Sequence, residues 1–161
     1  MKSYALATQH LISQISPASW KAELEKASSK YHLMACWVAI IFDPIFAITD
    51  YINIPENWQP LLIIRLTVSA LILATLMVRK RYNLSTYKVV TVPFVLISMQ
   101  NAITYMFIGN EDLLGHNLNY MALFIGASMF VLWRWSYSVI IILMSAIATA
   151  IFLRTNPAIG L

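Results

Sequence analysis

Five long apolar stretches joined by short polar links organise the chain from residue 31 onward. They cover about residues 31–53, 60–78, 87–108, 117–133 and 137–153. About 20 mostly apolar residues suffice to cross the hydrocarbon of a bilayer as a helix, so each stretch is predicted to be a transmembrane span. The links, residues 54–59, 79–86, 109–116 and 134–136, leave no room for an extramembrane domain between spans. The expected fold is an all-α polytopic helical bundle occupying residues 31–161.

Residues 1–30 follow a different pattern. Tyr4, Ala7, Leu11 and Ile15 recur at helical spacing, which describes a short amphipathic helix. Ser16 then caps a second helix with Pro17 at its first position. Trp20 and Leu24 give that helix an apolar edge beside Lys21, Glu23, Glu25 and Lys26. The segment is predicted to lie on the inner membrane surface, with a loosely ordered leader as the alternative. No apolar stretch follows the first lysine as a secretory signal would require.

Composition agrees with a lipid solvent. Hydrophobic residues are 60% and charged residues 11% of the 161, against about 45–50% and 25% in a soluble domain. Seven acidic and 11 basic residues are too few to clothe a water-soluble enzyme, and a scattered net charge of +4 is no footprint for nucleic acid. The lone Cys36 rules out an intrachain disulfide and a cysteine-based zinc site.

Orientation follows from the basic residues. With the amino terminus in the cytoplasm, Lys2, Lys21, Lys26, Lys30, Arg79, Lys80, Arg81, Lys88 and Arg134 lie inside, and of the flanking basic residues Arg154 alone lies outside. The outer links carry Asp50, Glu56, Glu111 and Asp112. This predicts a bacterial inner-membrane protein with a cytoplasmic amino terminus. Five spans starting inside end outside, and the odd number favours a fragment whose sixth span is missing.

Polar residues within the spans are the candidates for function, because a charged side chain in hydrocarbon costs at least about 2.5–3.5 kcal/mol. Asp43 and Asp50 lie seven residues apart in the first span, a rotation of about 700°, so both carboxylates share one face. Arg65, in the adjacent antiparallel span, falls between their depths and is predicted to pair with one of them. In the third span Ser98, Asn101 and Thr104 recur every three residues beside Gln100. Asn119 and Tyr120 enter the fourth span at a similar level. The expected result is a polar-floored pocket in the outer half of the bilayer, walled by Tyr105, Tyr120 and Phe124. Interhelical glue without a ligand is the competing reading. An ion path is disfavoured because the inner half is dry.

Other features call for less. Ala122 with Gly126, Ser145 with Thr149, and Ala146 with Ala150 are small-xxx-small pairs explained by packing. Pro44 and Pro93 are expected to kink their spans. His10, His32 and His116 lie at span ends or beyond them, so no haem is expected, and no metal motif or other cofactor site occurs. Arg79, Lys80 and Arg81 read as a topology anchor facing lipid headgroups. Trp58, Trp133, Trp135, Tyr31, Trp37 and Tyr137 read as interfacial aromatics.

One order of landmarks resembles a known family. Phe42-Asp43-Pro44 precedes Asp50-Tyr51; Pro55-Glu56-Asn57 follows, then Arg65, a polar third span, Leu132-Trp133-Arg134-Trp135 and an alanine-rich fifth span. This resembles the six-span amino-terminal sensor of bacterial quorum-sensing histidine kinases that detect α-hydroxyketones. Similar six-span anchors precede some bacterial adenylate cyclases. The resemblance implies a sixth span, a cytoplasmic coiled helix, a kinase core and often a receiver domain. It also implies a ligand pocket among the later spans, to which Tyr120 and Phe124 correspond, with tyrosine where the family would have tryptophan.

The sequence therefore predicts a non-enzymatic sensory input domain, homodimeric in the bilayer and binding a small lipophilic signal molecule through Arg65, Gln100, Asn101, Tyr120 and Phe124. Asp43, Asp50 and Arg65 form the predicted structural ion pairing. The alternatives are a ligand-independent dimerising anchor of an adenylate or guanylate cyclase, and a small transporter subunit.

Overall fold

The computed structural model describes residues 17–130 and 135–158. They form an all-helical chain with no strand among the described residues: α1 Pro17–Ile45, α2 Ala47–Asn53, α3 Trp58–Tyr82, α4 Thr86–Thr104, α5 Leu113–Phe130 and α6 Trp135–Thr155. The predicted helix over residues 4–15, the Ser16 cap, Trp133 and Arg134 lie outside the described residues.

Helix α1 begins at Pro17, whose fixed φ suits a first turn where no N–H is needed. It then runs without interruption through residue 30 into the apolar stretch, so the boundary drawn there falls inside a helix and the second amphipathic segment is continuous with the first span. Pro44 ends this regularity. It has no N–H to return to the Ile40 carbonyl, and the chain turns at Phe46 before α2 resumes. The Phe46 N–H still donates to Phe42 O at 3.1 Å, which keeps α1 and α2 one kinked rod.

Among the described residues, three helical segments are long and apolar enough to cross a membrane: Ala22–Asn53, Trp58–Tyr82 and Trp135–Thr155. That is fewer than the five spans expected. Polar residues lower the apolarity of the other two, Lys88, Gln100 and Asn101 in α4 and His116, Asn117 and Asn119 in α5. Boundaries also move. Helix α3 extends past residue 78, so Arg79, Lys80 and Arg81 occupy its last turn, where they complement the helix dipole. Asn83 closes it in the left-handed region at φ 49°, its N–H on Arg79 O. Helix α4 stops at Thr104, short of residue 108, and α5 starts at Leu113, which places His116 inside a helix.

The helices run alternately up and down. Helices α1, α3 and α4 pack on one another, α6 packs along α4, and α5 touches α4 only lightly. Toward the basic end the shared core is Cys36, Val68, Ile72, Leu76, Val89 and Val90. At the opposite end a smaller cluster gathers Tyr105, Ile108 and Tyr120. Large apolar side chains such as Ile52, Met77, Leu114 and Ile147 face outward with over half their surface exposed, the inverse of a water-soluble surface. Both ends are tied by polar clamps. Thr86 N–H donates to Glu25 Oε1 at 3.1 Å, so α1 caps α4. At the far end Asn156 Nδ2 donates to Tyr105 O at 2.6 Å and Ile108 O at 2.9 Å, and Asn57 Nδ2 to Phe107 O at 3.2 Å.

Candidate functional site: a polar layer and an adjoining groove

The seven-residue spacing of Asp43 and Asp50 survives the Pro44 kink, and both side chains turn inward toward α3. Arg65 meets them with a full fork. Its Nε donates to Asp50 Oδ2 at 2.6 Å, Nη2 to Asp50 Oδ1 at 2.9 Å, and Nη1 to Asp43 Oδ1 at 2.9 Å. The Arg65 side chain is 13% exposed and that of Asp43 4%. The Phe46 ring centroid lies 6.0 Å from Arg65 Cζ, at the edge of cation–π range. Gln100 joins from α4, its Nε2 donating to Asp43 Oδ1 at 2.7 Å. Three rods are thus sewn together at one depth.

The other predicted residues sit beside this knot without entering it. Asn101 Nδ2 donates to Ile97 O of its own helix at 2.9 Å. Its backbone carbonyl accepts from His116 Nε2 at 2.9 Å, which assigns the ring proton to that nitrogen. Tyr120 is buried and its hydroxyl donates to Ser98 O at 3.1 Å. Thr104 Oγ1 donates to Gln100 O at 3.0 Å within α4. Asn119 is exposed and faces away from the layer.

His116 and Asn117 also join this side of the layer, although the sequence pattern puts one in a link and gives the other no role. The Tyr105 hydroxyl donates to Asn117 Oδ1, and the His116 ring meets Tyr105 edge-on at 4.6 Å between centroids. The aromatic series continues from Tyr120 to Phe124 at 5.2 Å. The sequence signal for His116 is its i, i+4 spacing to Tyr120, which emerges only because α5 begins at Leu113.

The light contact between α5 and the rest leaves a groove of about 620 Å³ against α6. Its walls are apolar, with Tyr120, Phe124, Ile142 and Leu153 prominent. Ser145 and Thr149 are among its lining residues, and their hydroxyl oxygens, buried beneath its apolar surface, have no hydrogen-bond partner. Between α4 and α6, Ser98 and Ser145 also border a crevice with no room for water, and Ser98 Oγ likewise lacks a partner. A buried hydroxyl without a partner costs about 1–3 kcal/mol, and α4 and α6 carry three of them: Ser98, Ser145 and Thr149.

Compared with known protein families, curated proteins and solved structures, the chain matches none.

Proposed function

We propose that this chain is the membrane-embedded sensory input domain of a signalling protein, in keeping with the resemblance to histidine-kinase sensors, and that it receives a small lipophilic molecule in the α5–α6 groove. The observation that carries the reading is the pairing of apolar walls from Tyr120 and Phe124 with the unpartnered hydroxyls of Ser145 and Thr149. An uncharged amphiphile would fill the groove with its chain, and its oxygen acceptor would satisfy those donors once the Ser145 and Thr149 side chains turn toward it. Arg65, Gln100 and Asn101 act as the scaffold of the site, since their donors are already engaged within the bundle. Helix α5, lightly held, is the element a ligand would reposition.

In this reading α4 and α5 cross the bilayer with the three longer apolar rods, covered by them at their polar positions. The amino terminus faces the cytoplasm of a bacterial inner membrane, following the distribution of lysine and arginine. A ligand-independent dimerising anchor is the second reading, favoured by the closure of the Arg65 network on itself.

The test uses the full chain in phospholipid nanodiscs and a medium-chain α-hydroxyketone, followed by intrinsic aromatic fluorescence. Saturable binding, weakened at least several-fold by Ser145→Ala with Thr149→Val and by Phe124→Ala, is the expected outcome. Binding that is absent, or equal in all variants, leaves the anchor reading in its place.

A further inference from the structure

Charge counting in the polar layer leaves one negative charge uncompensated. Asp43 and Asp50 carry two negative charges and Arg65 one positive, all largely buried. The groups packed around Asp43 are Arg65 from α3, Asp50 from α2 and Gln100 from α4. His116 of α5 is the next titratable ring, and its Nε2 proton is engaged by the Asn101 carbonyl. The Tyr105 and Tyr120 phenols are spent on Asn117 and Ser98. Left as it stands, the cluster would hold a net negative charge in hydrocarbon, at a cost of several kcal/mol.

The two carboxylates are not equivalent. Both oxygens of Asp50 accept from Arg65. Asp43 takes Arg65 Nη1 and Gln100 Nε2 on the same oxygen, Oδ1, while its Oδ2 has no partner although the side chain is 4% exposed. Gln100 Oε1 is likewise buried with no partner, in a residue 3% exposed. Both acceptors belong to the two residues joined by the 2.7 Å bond from Gln100 Nε2 to Asp43 Oδ1. Ser69, one turn along α3 from Arg65, adds a third buried oxygen without a partner.

We propose that Asp43 Oδ2 and Gln100 Oε1 form a binding site for one monovalent cation, a proton or an alkali ion, which neutralises the cluster. A proton would sit on Asp43 Oδ2 and turn that oxygen from an unused acceptor into a donor. An alkali ion would take Oδ2 and Oε1 as hard oxygen ligands. In either form the bound charge joins the α1 kink to α4, independently of whether the groove holds a ligand.

The experiment uses the full chain in zwitterionic nanodiscs, by infrared spectroscopy and by thermal unfolding in NaCl against choline chloride at equal ionic strength. For a proton, a protonated-carboxyl stretch that shifts in D2O is present at neutral pH, and the unfolding curves coincide in the two salts. That band is lost in Asp43→Asn. It is also lost in Asp50→Asn, because Asp43 then pairs one to one with Arg65. For an alkali ion the band is absent, and sodium raises the midpoint in a dose-dependent way that Asp43→Asn abolishes. A wild-type protein with neither a band nor a sodium effect overturns the proposal, whatever the variants do. So does either signal persisting in Asp43→Asn.

Discussion

Arg65 and Asp50 are joined by two parallel hydrogen bonds, Nε to Oδ2 at 2.6 Å and Nη2 to Oδ1 at 2.9 Å, across the link between α2 and α3. The same guanidinium keeps its third nitrogen for Asp43. Such a fork requires a planar group with fixed donors, which lysine cannot supply. Arg65→Ala strands two buried carboxylates and is expected to cost about 3–5 kcal/mol. Arg65→Lys restores the charge without the fork and should recover only part of that loss. Reversible unfolding in bicelles measures both; equal stability of Arg65→Lys and wild type would show that the fork contributes nothing.

Gln100→Leu removes the donor that α4 offers Asp43. A loss of about 1–3 kcal/mol is expected, the cost of leaving a buried acceptor without its donor. Adding Asp43→Asn should shrink the effect, because it changes the group that Gln100 serves. A double-mutant cycle in the same unfolding assay reads the coupling.

Ser145→Ala separates ligand recognition from packing. The Ser145 hydroxyl is buried with no partner, so its removal should leave stability unchanged or slightly raised while weakening amphiphile binding. A clear loss of stability would mean that the hydroxyl is a structural bond. Tyr120→Phe is the contrasting variant: it deletes the bond to Ser98 O and should cost about 0.6 kcal/mol, the average for a hydrogen bond between membrane helices.

Glu25→Ala uncaps α4 at the basic end by removing the acceptor of Thr86 N–H. A cost of about 0.5–2 kcal/mol is expected from the loss of a cap, with faster amide exchange at the start of α4. Unchanged exchange there would show that another acceptor had replaced it.

Topology is checked with a single introduced thiol. Cys36 is fully buried and should resist a maleimide until the bundle is unfolded. In whole cells, Glu56→Cys is expected to react with a membrane-impermeant maleimide and Arg81→Cys only after permeabilisation, both side chains being exposed. The reverse pattern would invert the proposed orientation.

The amino-acid sequence determined, by itself, that the chain is helical and apolar, and that Asp43, Asp50 and Arg65 are drawn together. The first follows from the length of its apolar stretches. The second follows from the cost of burying charge, which leaves spacing and antiparallel adjacency few ways to be satisfied. Its limits were local. Where α1 begins and that it runs through residue 30 depended on a polar-faced segment that could equally lie apart from the span. Which residues of the layer bind one another was decided only by the tertiary structure. Asn101 turned to its own helix while Gln100 reached Asp43, because one residue along a helix rotates a side chain by about 100°. The groove belongs to the same class. It arises from the loose seat of α5 beside α6, and separation between helices leaves no trace in the spacing of residues along either one.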